Sequence, residues 1–243
     1  MKITRLGEGE EVAEGQIKSK ERVADFGEVF TAEREVNAML DLVKAETERV
    51  DSRFFEPACG TGNFLVEILR RKLEAAVRRA TPPGKARPDK MEFERQSVVA
   101  VSSIYGIDLM ADNATECRER LFAIWDEAYG RICKGETSEE CRDAVRFILE
   151  RNIVHGNSLS MKFTDDKGND TDKPIVLTEW SIVSGEMMQR KDFRFDDMLA
   201  DAGESVGGLT QMGFFSMLED AGMPLKNYVA PYKEIQNERK GEG

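Results

Sequence analysis

Glu56-Pro57-Ala58-Cys59-Gly60-Thr61-Gly62-Asn63-Phe64 decides how this chain folds. The short apolar run Phe54-Phe55 precedes it. After it, Leu65, Ile68, Leu69 and Leu73 recur at helical spacing up to about Ala80. The pattern reads as strand, glycine turn, helix. Glycine lets the backbone turn sharply and lets a ligand approach with no Cβ in the way. The following helix aims its free N–H groups at that ligand. A Gly-x-Gly turn is common, so its meaning depends on what surrounds it.

Working outward, Ile104-Tyr105-Gly106-Ile107-Asp108-Leu109 reads as a second strand ending in an acid. An acid there is placed to accept from both hydroxyls of a ribose. The plain alternative for Asp108 is a cap on the helix that starts near Asp112. Ile153-Val154-His155-Gly156-Asn157 reads as a third strand and its exit turn, and Pro174 to Thr178 as a fourth strand. Between them, Ala114, Cys117, Leu121, Ile124, Trp125 and Ala128 mark one helical stripe. Cys141, Val145 and Ile148 mark another, capped by Ser138. Met91 to Ser103 is ambiguous. Strands alternating with helices predict a mostly parallel sheet in a three-layer α/β fold, with ligands at the carboxyl ends of the strands.

Upstream, Val36, Met39, Leu40 and Val43 give one apolar stripe, with Thr31 as its N-cap. Residues 1–20 read as a flexible arm, 21–200 as the domain, and 201–243 as an appendage that is disordered from Asn237. Within the appendage, Gly203 to Gly213 is glycine-rich and Phe214, Phe215 and Leu218 suggest a short helix. Length and composition agree: 243 residues, 40% hydrophobic and 33% charged, suit one α/β domain with additions.

No apolar run approaches the roughly 18–20 residues of a membrane helix, and no signal peptide is visible, so a cytoplasmic location is expected. Four cysteines without a Cys-x-x-Cys pair, and one histidine, His155, argue against a structural zinc site. The net charge of −11 argues against strong DNA binding by this chain alone, because neutralised phosphates supply most nonspecific affinity.

Two details narrow the ligand. Asn63-Phe64 follows the turn where a pyrophosphate cradle would continue to a third glycine. Glu56 at the strand end favours a ligand bearing an amine or other cation. S-adenosylmethionine carries both an amine and a sulfonium.

These residues resemble the amino-methylating DNA methyltransferases, and among them the adenine-N6 enzymes of restriction-modification systems. Glu56 to Leu65 is very similar to the cofactor motif of that group. Gly27-Glu28-Val29-Phe30-Thr31-Ala32-Glu33 resembles its Gly-x-x-Phe-Thr-Pro stretch, which packs around the methionine end. Tyr105 to Asp108, with Leu109 next, resembles the ribose-binding strand. Gly156-Asn157-Ser158-Leu159 resembles the turn that meets the adenine amine. The similarity covers roughly residues 22–160. It implies a Rossmann-like S-adenosylmethionine-dependent methyltransferase fold, S-adenosylmethionine as cofactor and DNA as substrate. The implied cofactor contacts are Phe30, Thr31, Glu56, Pro57, Ala58, Cys59, Gly60, Thr61, Gly62, Asn63, Phe64, Asp108, Leu109, Asn157 and Ser158.

Two departures stand out. The acid of the last turn is Asn157, whose amide still accepts a hydrogen bond. The catalytic Asn-Pro-Pro-Tyr element of the family is absent, and the fourth strand ends Thr178-Glu179-Trp180-Ser181. In the family that element holds the target amine and stacks a base flipped from the duplex. Glu179 and Trp180 could replace it as acceptor and stacking surface, or act as an ordinary strand end. A partner protein could instead supply the element together with target recognition. A non-catalytic cofactor-binding subunit and a methyltransferase acting on something other than DNA are the remaining alternatives.

Overall fold

Short apolar stretches divide the first fifty residues into small pieces: β1 (Ile3–Leu6) paired with β2 (Glu10–Ala13), then α1 (Lys20–Phe26), α2 (Glu33–Asp41) and α3 (Lys44–Thr47). The structure is a computed structural model and describes residues 3–6, 10–13, 18–26, 29–165, 167–196 and 223–241. Part of the stretch expected to be a flexible arm thus forms a hairpin. Gly27 and Glu28 lie outside the described residues, as does the glycine-rich segment of the appendage with Phe214, Phe215 and Leu218. The cap of α2 is Ala32 rather than Thr31, and the Glu35 carboxylate accepts from its N–H at 3.3 Å.

The chain then enters β3 (Phe54–Glu56), turns, and runs along α4 (Asn63–Ala80). Leu65, Leu69, Leu73, Ala76 and Ala80 recur every three or four residues along α4 and are all buried. α5 (Lys90–Ser102) follows, resolving the ambiguous segment as a helix, and Asp89 caps it by accepting from the Glu92 N–H. Its amphipathic signal is poor because it is buried almost all round: Phe93, Glu94, Gln96, Ser97, Val98, Ala100 and Val101 are all covered. Next come β4 (Ile104–Asp108), α6 (Ala111–Ile132), α7 (Glu139–Asn152) and β5 (Ile153–Asn157). Ser138 caps α7 as expected, its hydroxyl accepting from the Cys141 N–H.

β3, β4 and β5 are parallel neighbours. β6 (Lys162–Thr164) and β7 (Asp170–Pro174) extend the sheet antiparallel, giving five strands in the order β3-β4-β5-β6-β7. The expected fourth strand does not join them. It forms β8 (Val176–Ser184), which pairs with β9 (Met187–Arg194), and β9 pairs with β10 (Lys226–Pro231), all antiparallel. α4 covers one face of the parallel unit: a Cβ on Gly106 would lie 2.9 Å from Leu65. On the opposite face, the Tyr105 hydroxyl donates to the Thr178 carbonyl at 2.9 Å, and Phe55 meets Phe195 edge to face.

A 3-10 helix, Tyr232–Gly241, follows β10, so residues 237–241 of the expected disordered tail are helical. Glu94, buried in α5, accepts from the hydroxyls of Tyr129 and Tyr232 and pairs with Lys233, each at 2.6 Å. This one carboxylate staples α5, α6 and the 3-10 helix together. Charge-assisted bonds of this kind are the stronger class of hydrogen bond. Among the described residues no helix is long and apolar enough to cross a membrane.

Candidate cofactor site

The turn after β3 is held from inside by its own backbone. Cys59 N–H donates to the Ile107 carbonyl of β4 at 2.9 Å, and Gly62 N–H to the Cys59 carbonyl at 2.8 Å. Both glycines are required. Gly60 has φ +53° and its missing Cβ would lie 3.0 Å from the Phe30 ring. Gly62 has φ +86° and its missing Cβ would lie 2.5 Å from the Cys117 sulfur. Either side chain would be strained in its backbone and crowded by a neighbour. Cys59 itself is buried, and its hydrogen bond to Cys117 together with burial pushes its thiol well above the usual range. It is a packing residue, since reactivity needs the thiolate.

Asp108 ends β4 beside this turn and is almost fully buried. One carboxylate oxygen accepts from the Gly60 N–H at 2.8 Å. The other accepts from the Met110 N–H at 2.9 Å and the Asn113 amide at 3.1 Å. Asp108 thereby ties the start of α6, whose N-cap is Met110, to the glycine turn.

Glu56 is the contrasting acid. It closes β3, burial raises its pKa, and the Ala58 N–H is its hydrogen-bond donor. Among the described residues no Lys, Arg or His stands within ion-pair reach of it. A mostly buried carboxylate with one donor is a costly arrangement unless a cation arrives. Pro57 sits between Glu56 and its Ala58 donor, which keeps this acid and the turn in one compact unit.

The upstream segment joins the same site. Phe30 packs over Gly60, and the Thr31 carbonyl accepts from the Asn63 amide at 3.0 Å. Phe64 is half-buried against the core behind the turn. Arg120, which nothing in the sequence pattern singled out, donates from one guanidinium nitrogen to the Thr61 carbonyl at 2.6 Å, the Thr61 hydroxyl at 3.0 Å and the Asn63 side-chain oxygen at 2.9 Å. Its signal was available in spacing: Asn113, Cys117 and Arg120 fall at i, i+4 and i+7 on one face of α6, and each meets the turn or its acid. At the start of α6, Asp112 pairs with Lys18 and Arg22, so the segment leading into α1 is fastened beside the site. These partners hold its carboxyl far below the usual range.

The third strand end is more self-contained. The Asn157 side-chain oxygen accepts from the Leu159 and Ser160 N–H groups, and its amide donates to Asp170 at 3.0 Å. Ser158 lies within the turn that Asn157 closes. His155 bridges the Leu109 carbonyl and the Thr164 hydroxyl, a tie between β5, β6 and the exit of β4.

Glu179 and Trp180 are not brought to this site. Phe54 N–H donates to the Ser103 carbonyl, which marks the amino ends of β3 and β4. Glu179 pairs with Arg53 at 2.8 Å at that end and with Lys191 at 3.5 Å. Trp180 is buried, donates its indole N–H to Asn152 at 2.8 Å and meets Phe147 edge to face. Both lie at the end of the sheet opposite the glycine turn. A groove of about 980 Å³ opens beside Trp180, lined among others by Arg49, Asp51, Arg53, Arg79 and Met188. Its charges are largely spent on one another: Arg49 and Arg79 both pair with Asp51. Among the described residues no group of three or more His, Cys, Asp or Glu side chains is arranged to hold a metal.

A parallel strand unit with a glycine turn, an acid at each of two neighbouring strand ends and a helix launched from the turn places the domain in the α/β class. The particular family follows from comparison: residues 17–182 match the family MmeI, DNA-methyltransferase domain. That is most of the chain, and the chain belongs to this family of restriction-modification DNA methyltransferases, over its cofactor-binding part. The match ends within β8. Neither the curated proteins nor the solved structures gave a match.

Proposed function

We propose that this chain binds S-adenosylmethionine at the glycine turn and is the cofactor-binding half of a split DNA methyltransferase directed at adenine N6. Glu56 is the observation that carries the reading: a mostly buried acid, without a cation beside it, closing the strand that enters the turn. The donor's amine or sulfonium is the charge it lacks. Gly60 and Gly62 leave the backbone bare where the ligand approaches, Phe30 and Thr31 close one side, and Asp108 is the acid assigned to the ribose. The contacts assigned to Asn157, Ser158 and Leu109 come from the family resemblance, with Asn157 meeting the adenine of the cofactor. The three-layer Rossmann-like reading of the fold rests on the parallel β3–β4–β5 unit with α4 on one face.

Bound S-adenosylmethionine supplies an electrophilic methyl group. This chain's own residues bind and orient it, neutralise its positive charge and exclude water from the turn. The target amine has to be positioned by an acceptor and a stacking aromatic near the carboxyl ends of the strands. Glu179 and Trp180 are engaged elsewhere, so a partner protein contributes that element and the reading of the DNA sequence. The net charge of −11 fits a partner that carries the basic surface. The site of action is the cytoplasm.

The test is direct. The chain is incubated with labelled S-adenosylmethionine and DNA, with and without the protein encoded beside it. Transfer only with the partner is the expected result. Transfer by the chain alone would remove the split reading. Binding without transfer in both cases would favour a non-catalytic cofactor-sensing subunit, which the engagement of Glu179 and Trp180 also suits.

A further inference from the structure

We infer that Arg120 is a positioning residue that sets the shape of the glycine turn and couples it to the Phe30-Thr31 segment, through Thr61 and Asn63. The part of this inference that concerns ligand affinity rests on the proposed cofactor reading; the part that concerns the turn does not. A turn containing two glycines in left-handed conformations has little intrinsic reason to stay in one shape, because glycine loses more conformational freedom on ordering than any other residue. Something outside it has to fix it. The Gly60 N–H is fixed by Asp108 and the Cys59 N–H by β4. The outer half, Thr61 to Asn63, has no strand beside it.

Arg120 holds that half. One guanidinium nitrogen reaches the Thr61 carbonyl, the Thr61 hydroxyl and the Asn63 side-chain oxygen, all within 3.0 Å. With its oxygen held, the Asn63 amide points its N–H at the Thr31 carbonyl, 3.0 Å away. The orientation of an Asn amide is set by what its oxygen and nitrogen each bond, so the cation selects the orientation that reaches Thr31. The segment held in this way carries Phe30, whose ring lies over Gly60. One side chain of α6 therefore couples the turn to the lid of aromatic and backbone that covers it. Arg120 makes no contact that would let it take part in methyl transfer, and its effect is on where the binding groups stand.

Amide hydrogen exchange on the whole chain without ligand reads this directly. In Arg120→Met, exchange at Gly60 and Gly62 should rise about tenfold while Ile107 in β4 keeps its protection. Arg120→Lys keeps a charge but presents it as a point ammonium on a shorter reach, so it should give a smaller rise. Asn63→Ala should also loosen the turn, and Arg120→Met added to it should contribute less than Arg120→Met alone, since the two share one route. Affinity for S-adenosylmethionine should fall about tenfold in Arg120→Met, and, where a partner restores transfer, KM should rise with kcat unchanged. Unchanged exchange at Gly60 and Gly62, or a rise spread evenly over the sheet, would overturn the inference. If Arg120→Met does not fold, Arg120→Lys and Asn63→Ala carry the same reading: selective loosening of the turn supports it and none overturns it. If the unaltered chain binds no S-adenosylmethionine, the cofactor reading fails, while the exchange result still decides the role of Arg120 in the turn.

Discussion

At the carboxyl ends of β3 and β4, Glu56 and Asp108 stand next to bare glycine backbone, and Glu56 has no cation beside it. At the amino ends of the same strands, Arg53 faces Glu179, Arg49 and Arg79 face Asp51, and Lys72 fills a gap beneath the chain. Lys72 is fully buried, donates to the carbonyls of Arg49, Val50 and Ser52, and lies over the Phe54 ring. The amino end holds a groove of about 980 Å³, yet its charges answer one another. At the carboxyl end the charge of Glu56 is unanswered among the described residues. The two ends differ in whether their charges are matched, and an unmatched, mostly buried acid is the kind of group that marks a candidate site.

The largest expected break in this contrast is Gly60→Asp. It places bulk and negative charge where the backbone has φ +53° and the Phe30 ring leaves no room. Calorimetry should find no binding of S-adenosylmethionine. Unchanged affinity would remove the glycine turn as the site.

Lys72→Met tests the other end. It leaves three buried carbonyls short of a donor, which should cost about 2 kcal/mol of stability in denaturant unfolding. Cofactor affinity should not change. Burial pulls the Lys72 pKa down to about 7 from its ordinary 10.5. The unfolded chain then holds more protons than the folded one between those values, so this group's contribution makes stability rise with pH from about 7 towards 10.5. Below about 7 the full burden of the buried charge remains. The stability gap between the unaltered chain and Lys72→Met should therefore widen with pH across that window, and a constant gap would mean that Lys72 stays charged throughout.

Glu56→Gln should move the two properties in opposite directions. Removing the charge is expected to weaken S-adenosylmethionine about tenfold, or roughly 1.4 kcal/mol. The ligand-free chain should become more stable at neutral pH, with a melting temperature higher by about 2–4 °C per kcal/mol gained. The sign follows from burial: a carboxyl with a raised pKa favours its neutral form in the fold, and that advantage is present below the unfolded pKa and lost as pH rises through the folded one. Loss of both stability and affinity would make Glu56 a structural acid. The smallest effect belongs to Trp180→Phe, which removes the indole N–H bond to Asn152 and should cost about 1 kcal/mol. Methyl transfer with the partner should be unaffected. A folded Trp180→Phe protein that has lost transfer would return Trp180 to the catalytic site.

The turn, the acid at Asp108 and the parallel run of β3, β4 and β5 were legible because each rests on local rules: glycine spacing, an acid after an apolar run, and stripes of period 3.6. Phe30 and Thr31 were legible only through resemblance to a family, since no local rule says that a residue thirty positions upstream will cover Gly60. Arg120 was passed over, because its place on one face of α6 with Asn113 and Cys117 gains meaning only once that face is known to meet the turn. A lone arginine on a helix face usually points into water, and only the packing of α6 against the turn gives it three acceptors. The fourth strand was misplaced for a related reason. Pro174 to Thr178 has strand composition, but composition does not choose a neighbour, and the pairing with β9 over eight residues wins. α5 was ambiguous because a helix buried all round has no polar face to give it a period.

Asp108 enters any encounter with a ligand nearly full. A carboxylate offers about four acceptor directions, and three are taken by Gly60, Met110 and Asn113. Under the proposed reading, a sugar diol that claimed two of them would have to evict one of the present donors. Recognition of the sugar would then be an exchange rather than an addition. What binding gained there would be only the difference between hydrogen bonds of similar strength, and if the Gly60 N–H were the donor released, it would be free to point at the newcomer.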